Sequence, residues 1–269
     1  MRECLAHTAG FVADEEPGGH PWLDSHPDTW TLADQVAAVA KAGLATAPGA
    51  RFAYSGTGYD VIGRVIEIAT GVSFDEAARL HLFEPLGLAH ATYVPSAEVV
   101  VSIPPQHVLC ESDGRLRVVL APYVFAPTGR YRSVGGGAVS TLDDLARYWS
   151  MELSGGTVER EAFLSAASLR VLRTRRAPAM RYGLGHSLGP PLSENRGSDV
   201  AWVQQFGSTG TLAWADFEHE LVGVFLMQGR RVRGRLKEGA TPVIESSTPE
   251  FPARLRERID AIFGTRRWK

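Results

Sequence analysis

The chain has 269 residues, 44% of them hydrophobic and 22% charged, a length and balance that suit one large or two small globular domains with a sizeable core. With 28 Lys+Arg against 30 Asp+Glu the formal net charge is -2, so no global field favours nucleic acid or a membrane surface. Cys4 and Cys110 are the only cysteines, which excludes a disulfide-rich scaffold and an ordinary cysteine zinc site, and the apolar run Leu221 to Met227 is far too short to span a bilayer.

The N-terminal residues Met1 to His7 lack the basic start and apolar core of a signal peptide, so the chain as it stands reads as cytoplasmic, its native compartment left open. No repeat or low-complexity block interrupts the sequence, which argues against a solenoid or a long disordered tail. Thr31 followed by Asp34 caps a helix that stops at Gly43. Gly58 to Ala69 carries Val61, Ile62, Val65, Ile66 and Ile68 and predicts a second helix ending before Gly71. Ser73 with Glu76 reads as a capping box for a third, ending near Pro85. His107 to Cys110 and Arg115 to Leu120 flank Asp113-Gly114, a hairpin signature. Thr141 with Asp144 opens a helix running to Gly155-Gly156.

Three β-rich runs follow: Val200 to Phe206, Thr211 to Phe217 and Leu221 to Met227. Their short connections cannot make parallel crossovers, so they predict an antiparallel meander. Leu255, Ile259, Ile262 and Phe263 then share one face of a final helix ending at Gly264. The order implies an α+β fold, with a helical lobe and a hairpin over 1–198, and antiparallel strands with a covering helix over 199–269.

Several motifs have bland alternatives. Gly185-His186-Ser187-Leu188-Gly189 matches the G-x-S-x-G nucleophile elbow, with Asp199 or Asp216 and His219 in the right order for a triad. The strand-turn-helix context is missing, however, because Pro190 and Pro191 follow, so a loop is the stronger reading. His20, Asp24, His26 and Asp28 lie among prolines and glycines, where a polar loop explains them better than a metal. The basic stretches Arg170, Arg173, Arg175, Arg176, Arg181 and Arg230, Arg231, Arg233, Arg235 have no interleaved aromatics and read as solvated faces. Gly135-Gly136-Gly137 lacks the Lys-Ser/Thr of a phosphate loop and reads as a turn. No cofactor motif is present.

One stretch is more specific. Pro48 to Tyr59, containing Tyr54-Ser55-Gly56, runs into the second helix, and Phe83-Glu84-Pro85-Leu86-Gly87-Leu88 follows. Together these resemble the serine β-lactamase-like superfamily of class C β-lactamases, penicillin-binding proteins, D-aminopeptidases and carboxylesterases. Leu5 to Phe11, Val134 to Leu145, Tyr182 to Gly185 and Phe206 to Gly210 continue the resemblance in order. The likeness covers essentially the whole chain and gives Gly185 to Gly189 a plain role as a turn into the C-terminal sheet.

The resemblance implies a serine nucleophile in an S-x-x-K motif, whose i, i+3 spacing puts Ser and Lys on one helix face. The lysines here are Lys41, Lys237 and Lys269, and the residues three before them are Ala38, Gly234 and Arg266. Since that motif lies upstream of the segment resembled by Leu5 to Phe11, Met1 is expected to be an internal methionine and the N-terminal part of the fold to be missing. The resemblance makes Tyr54 the general base of a Tyr-x-Asn motif in which Gly56 replaces Asn. It makes Ser208, Thr209 and Gly210 the Lys/His-Thr-Gly strand with Ser in the cationic position. Ser55, Gly56 and Ser208 to Thr211 would then line the substrate, with the Thr211 N–H as an oxyanion donor. Loss of the cation favours a small-molecule ester or amide over a carboxylate-bearing β-lactam. The alternative is an inactive homologue acting as a binding module. Partners expected are self-association or a complementary N-terminal segment, without nucleic acid.

Overall fold

The computed structural model describes residues 1–14, 16, 29–110, 115–119, 131–177, 180–191 and 200–232. The final helix, the Asp113-Gly114 turn, the His20 to Asp28 group and Asp199 lie outside the described residues. The helices are α1 (Arg2–Leu5), α2 (Leu32–Ala42) and α3 (Gly56–Thr70). Next comes α4, formed by Phe74–Ala78, a π turn over Arg79–Phe83 and a last turn over Glu84–Leu86. Helices α5 (Ala97–Ser102), α6 (Leu142–Leu153) and α7 (Ala166–Arg173) follow. Strands β1 (Gln106–Cys110) and β2 (Arg115–Val119) form the expected hairpin, and β3 (Thr157–Val158) with β4 (Glu161–Ala162) forms a smaller one. The main sheet contains β5 (Ser187–Leu188), β6 (Trp202–Phe206), β7 (Leu212–Asp216) and β8 (Leu221–Phe225), in chain order and antiparallel throughout. This is the α+β arrangement expected, with the predicted meander as its core.

Local chemistry explains most boundaries. Thr31 and Asp34 form a reciprocal capping box at the start of α2. The Ser73 box does not form: its side chain makes no cap bond, and the Phe74 N–H donates instead to Glu67 Oε1 of α3 at 3.2 Å. The Glu76 carboxylate that the box requires accepts from Arg79 instead, at 2.6 Å from Nη2 and 2.9 Å from Nε. Strand β9 (Gly229–Val232), read from sequence as part of a basic stretch, pairs parallel with β1.

Helix α6 is the central pillar. Trp149 packs against the sheet face carrying Val203, Ala213 and Ala215. Met151 points the other way, into Phe83, Leu86 and Leu88. A third cluster, Leu32 and Tyr131 with Val134, joins α2 to the glycine turn. Gly63 of α3 makes this approach possible, since a Cβ there would stand 2.3 Å from Val134 Cγ2.

Among the described residues, sheet order ends at β8, and Phe225, Leu226 and Met227 at its end are exposed, as is Phe206 on β6. Exposed apolar residues beside a sheet edge favour association. Size-exclusion chromatography at rising concentration should therefore show self-association of the 269-residue chain. A monomer unchanged with concentration would argue against this. Among the described residues no helix is long and apolar enough to cross a membrane.

Candidate active site

Tyr54 stands at the end of an extended segment that turns into α3 at Ser55. Four consecutive residues of this segment are held by backbone or side-chain partners. Ala53 N–H donates to His7 C=O at 2.8 Å, and Asp14 N–H donates to Tyr54 C=O at 3.0 Å. Ser55 N–H donates to His7 Nδ1 at 3.0 Å, and Gly56 N–H donates to both Asp14 carboxylate oxygens at 2.8 and 2.9 Å. The negative carboxylate therefore sits on the positive end of the α3 dipole. A Cβ added at Gly56 would stand 3.3 Å from Asp14 Oδ2, so the carboxylate lies against the place where a side chain at position 56 would begin.

Tyr54 is 41% exposed, whereas the Ser55 side chain is buried beneath it. The Tyr54 ring stacks on His7 with centroids 4.1 Å apart. Burial of its hydroxyl, then the neighbouring Tyr182 and Asp14, raise its pKa well above the usual phenol value, and only a hydrogen bond from Gln205 opposes them. None of these influences is a cation. At neutral pH Tyr54 is thus a phenol, able to donate or relay a proton but not poised as a phenolate base.

His7 is buried and surrounded by Phe52, Tyr54, Tyr59 and Tyr182. Because Nδ1 accepts from Ser55, the neutral ring carries its proton on Nε2 and donates to Tyr182 Oη at 3.2 Å. Gln205 Nε2 donates to the same oxygen at 3.2 Å, and Tyr59 Oη donates to Leu5 C=O at 3.1 Å. Burial lowers the His7 pKa to about 4. Its depressed value means that its contribution to stability is complete above 6.5 and lost as pH falls through about 4.

Gln205 leads directly to the second candidate element. Beyond β6 the chain turns through Ser208, Thr209 and Gly210 into Thr211, closed by Gly207 N–H to Thr211 C=O at 2.7 Å. Gly210 has φ +89, and a Cβ there would lie 2.0 Å from Met227 Cε. Glycine is needed both for the left-handed turn and for its packing on the segment after β8. Gly229 N–H donates to Thr209 C=O at 2.8 Å, fixing the turn from the other side.

The glycine turn joins the same region from α3. Asp60, fully buried, accepts from Tyr131 Oη at 2.6 Å, Val134 N–H at 3.0 Å and Gln35 Nε2 at 3.3 Å. Its burial outweighs these bonds and raises its pKa to about 6. Gly135 lies against Tyr59 and the Gly56 backbone. Sequence reasoning missed Asp14, Tyr59, Asp60 and Gln205 as site-forming residues. Asp60 carried a detectable signal, a carboxylate directly before Val61 and Ile62 in the first half of α3.

Two other readings are corrected. Ser187 lies within β5, paired with Gln204 of β6, after Gly185 at φ 87. It occupies a strand, not a strand-to-helix elbow, and the surrounding α+β fold is not that of an α/β-hydrolase. Asp216 and His219 hold one another across the β7–β8 turn, Nδ1 to Oδ1 at 3.1 Å. Arg173 is not a solvated charge: it is buried, with Nη2 2.8 Å from Glu152 Oε2 and its guanidinium 4.2 Å from the Phe217 ring centroid. Among the described residues no group of three or more potential metal ligands occurs.

A helical lobe on an antiparallel sheet, with Tyr54 just before a helix start and a Ser-Thr-Gly turn between two strands, is the class of fold shared by β-lactamases and penicillin-binding proteins. The chain belongs to the Beta-lactamase family, whose sequence model matches residues 1–242. It is 32% identical over 193 residues to penicillin-binding protein 4 of Amycolatopsis lactamdurans, covering 68% of this chain and 47% of that protein. It is 30% identical over 259 residues to protein Rv1367c of Mycobacterium tuberculosis, covering 85% of this chain and 62% of that one. Among solved structures, EstCE1, a hydrolase with promiscuous acyltransferase activity, matches 85% of this chain and 66% of its own with TM-score 0.69, at 21% identity. The chain thus spans between 47% and 62% of the length of these two sequence relatives.

Proposed function

We propose that the chain supplies the acid-base and oxyanion half of a serine acyl-transfer site acting on small esters or amides, with the nucleophile supplied from outside these 269 residues. The observation that carries this reading is the meeting of Tyr54 with Gln205, three residues before the Ser208 to Thr211 turn. In such a site the serine attacks the acyl carbonyl and its proton passes through the neutral Tyr54 phenol, which accepts it while giving its own to the lysine neighbour. The Tyr54 phenol then returns that proton to the leaving group. Thr211 N–H is one oxyanion donor, and the nucleophile's own N–H is the other. Gly56 and Ser208 to Gly210 line the acyl group, and Ser55 contributes its backbone. With Ser208 in place of a cation, nothing at that position rewards a substrate carboxylate, which favours neutral esters and amides.

A second reading, a non-catalytic binding module, is favoured by the Asp14 carboxylate on Gly56 N–H, where the family pattern has an amide. One experiment separates the two. The chain is joined to an S-x-x-K-bearing N-terminal segment of a relative, and p-nitrophenyl ester hydrolysis is followed. The acyl-transfer reading predicts turnover that falls about 10²- to 10⁴-fold in Tyr54→Phe, the usual size of a lost acid-base group. A folded, joined protein without turnover would favour the binding module.

A further inference from the structure

We propose that His7 is the positioning residue of this site, a neutral imidazole that holds the Tyr54 ring by stacking and the Tyr54-Ser55 peptide by accepting its N–H. This rests on reading Tyr54 as a member of the site.

Three independent features converge on His7. It has φ 55, the left-handed region that few non-glycine residues adopt, two positions past the end of α1. Its backbone and its ring both grip the Tyr54 segment, through Ala53 N–H to its carbonyl and Ser55 N–H to Nδ1. Its other nitrogen reaches Tyr182, which Gln205 of β6 also holds. Two other stretches of sequence therefore touch this ring, Phe52 to Tyr59 and Tyr182, and Gln205 of the strand leading to Ser208 joins them through the Tyr182 hydroxyl.

Displacing this imidazole would move Tyr54 relative to the strand turn without touching either. Aspartate, glutamate, lysine and arginine are absent from the interactions that shift His7; the groups facing it are the phenols of Tyr54, Tyr59 and Tyr182 and the Ser55 amide. Cys4 stands behind Tyr59, and Asp14 beyond Tyr54. The ring can therefore remain a neutral acceptor through the neutral pH range. Protonation at Nδ1 would replace the acceptor with a second donor and release the Ser55 N–H.

The test uses the 269-residue chain and reads placement, not hydrolysis, so it fails or succeeds independently of the acyl-transfer reading. Hydrogen exchange at pH 7 is measured for the Ser55 amide in wild type, His7→Phe and His7→Asn. Phenylalanine keeps a stacking ring but has no acceptor; the Asn side-chain oxygen can stand where Nδ1 stood. Loss of one buried hydrogen bond predicts Ser55 exchange about tenfold faster in His7→Phe, with most of that protection restored in His7→Asn. Equal exchange in all three proteins, or an Asn variant no better than Phe, would overturn the proposal. If His7→Phe does not fold, the wild type decides by itself: the ¹³Cζ resonance of Tyr54 should titrate with the midpoint of the His7 imidazole. A Tyr54 resonance that stays flat through that titration would equally overturn it.

Discussion

Replacing Arg173 with leucine should destabilise the chain by about 3–5 kcal/mol in urea denaturation, the usual result of leaving one member of a buried ion pair behind. The remaining partner, Glu152, has no solvent exposure, so its carboxylate has no water to turn to. Arg173 Nη2 also donates to the Glu152 backbone carbonyl at 2.5 Å, tying the end of α7 to the end of α6. The double variant Glu152→Leu/Arg173→Leu removes both charges and should lose much less than the single one. Equal losses in the two would show that packing, not charge, carries the effect. His186 adds a pH signature. Its Nε2 lies 3.8 Å from Glu152 Oε1, and burial, with help from Arg173, holds its pKa below the usual value while Glu152 opposes. Without Arg173 the imidazole gains a reason to protonate, so the penalty of Arg173→Leu should shrink at pH 5.5 relative to pH 8.

Asp60→Ala should have an effect of similar size. It leaves the Tyr131 hydroxyl, the Val134 N–H and the Gln35 amide without this acceptor, and each such loss costs about 1–3 kcal/mol. The glycine turn over Gly56 would lose its anchor to α3 at the same time. Asp60→Asn isolates the charge. The native pKa is raised from 3.8 to about 6, so the carboxyl stabilises the fold fully below 3.8 and loses that contribution as pH rises through about 6. The gap between wild type and Asp60→Asn should therefore widen by about 3 kcal/mol from pH 7 to pH 4. A gap independent of pH would contradict this assignment. His7 acts in the opposite sense over the same window, so the wild-type profile should be flatter than that of Asp60→Asn.

What could be read from the sequence follows the range of the interactions involved. The Thr31 and Thr141 caps and the β6–β8 meander depend on residues a few positions apart, and they were legible. The failed Ser73 box shows the limit, because the Glu76 carboxylate it requires is taken by the competing Arg79 guanidinium, while the Phe74 amide finds Glu67 of the preceding helix. The β1–β9 pairing joins residues more than a hundred positions apart. Helix α7 ends on Arg173, which, among the described arginines of its basic stretch, is the one that turns inward. At the site, Tyr54 and the Ser208 to Thr211 turn stood out through family resemblance. His7, Asp14 and Gln205 have no local signature for their roles; those roles exist only because distant segments close around Tyr54.

We propose that this chain brings Tyr54 and the Ser208 to Thr211 turn to an acyl-transfer site without a nucleophile of its own. Treating the purified 269-residue chain with a fluorophosphonate serine-hydrolase probe tests it most directly. No covalent labelling is predicted, in the wild type and in Ser187→Ala alike. Stoichiometric labelling of the wild type that disappears in Ser187→Ala would contradict the account.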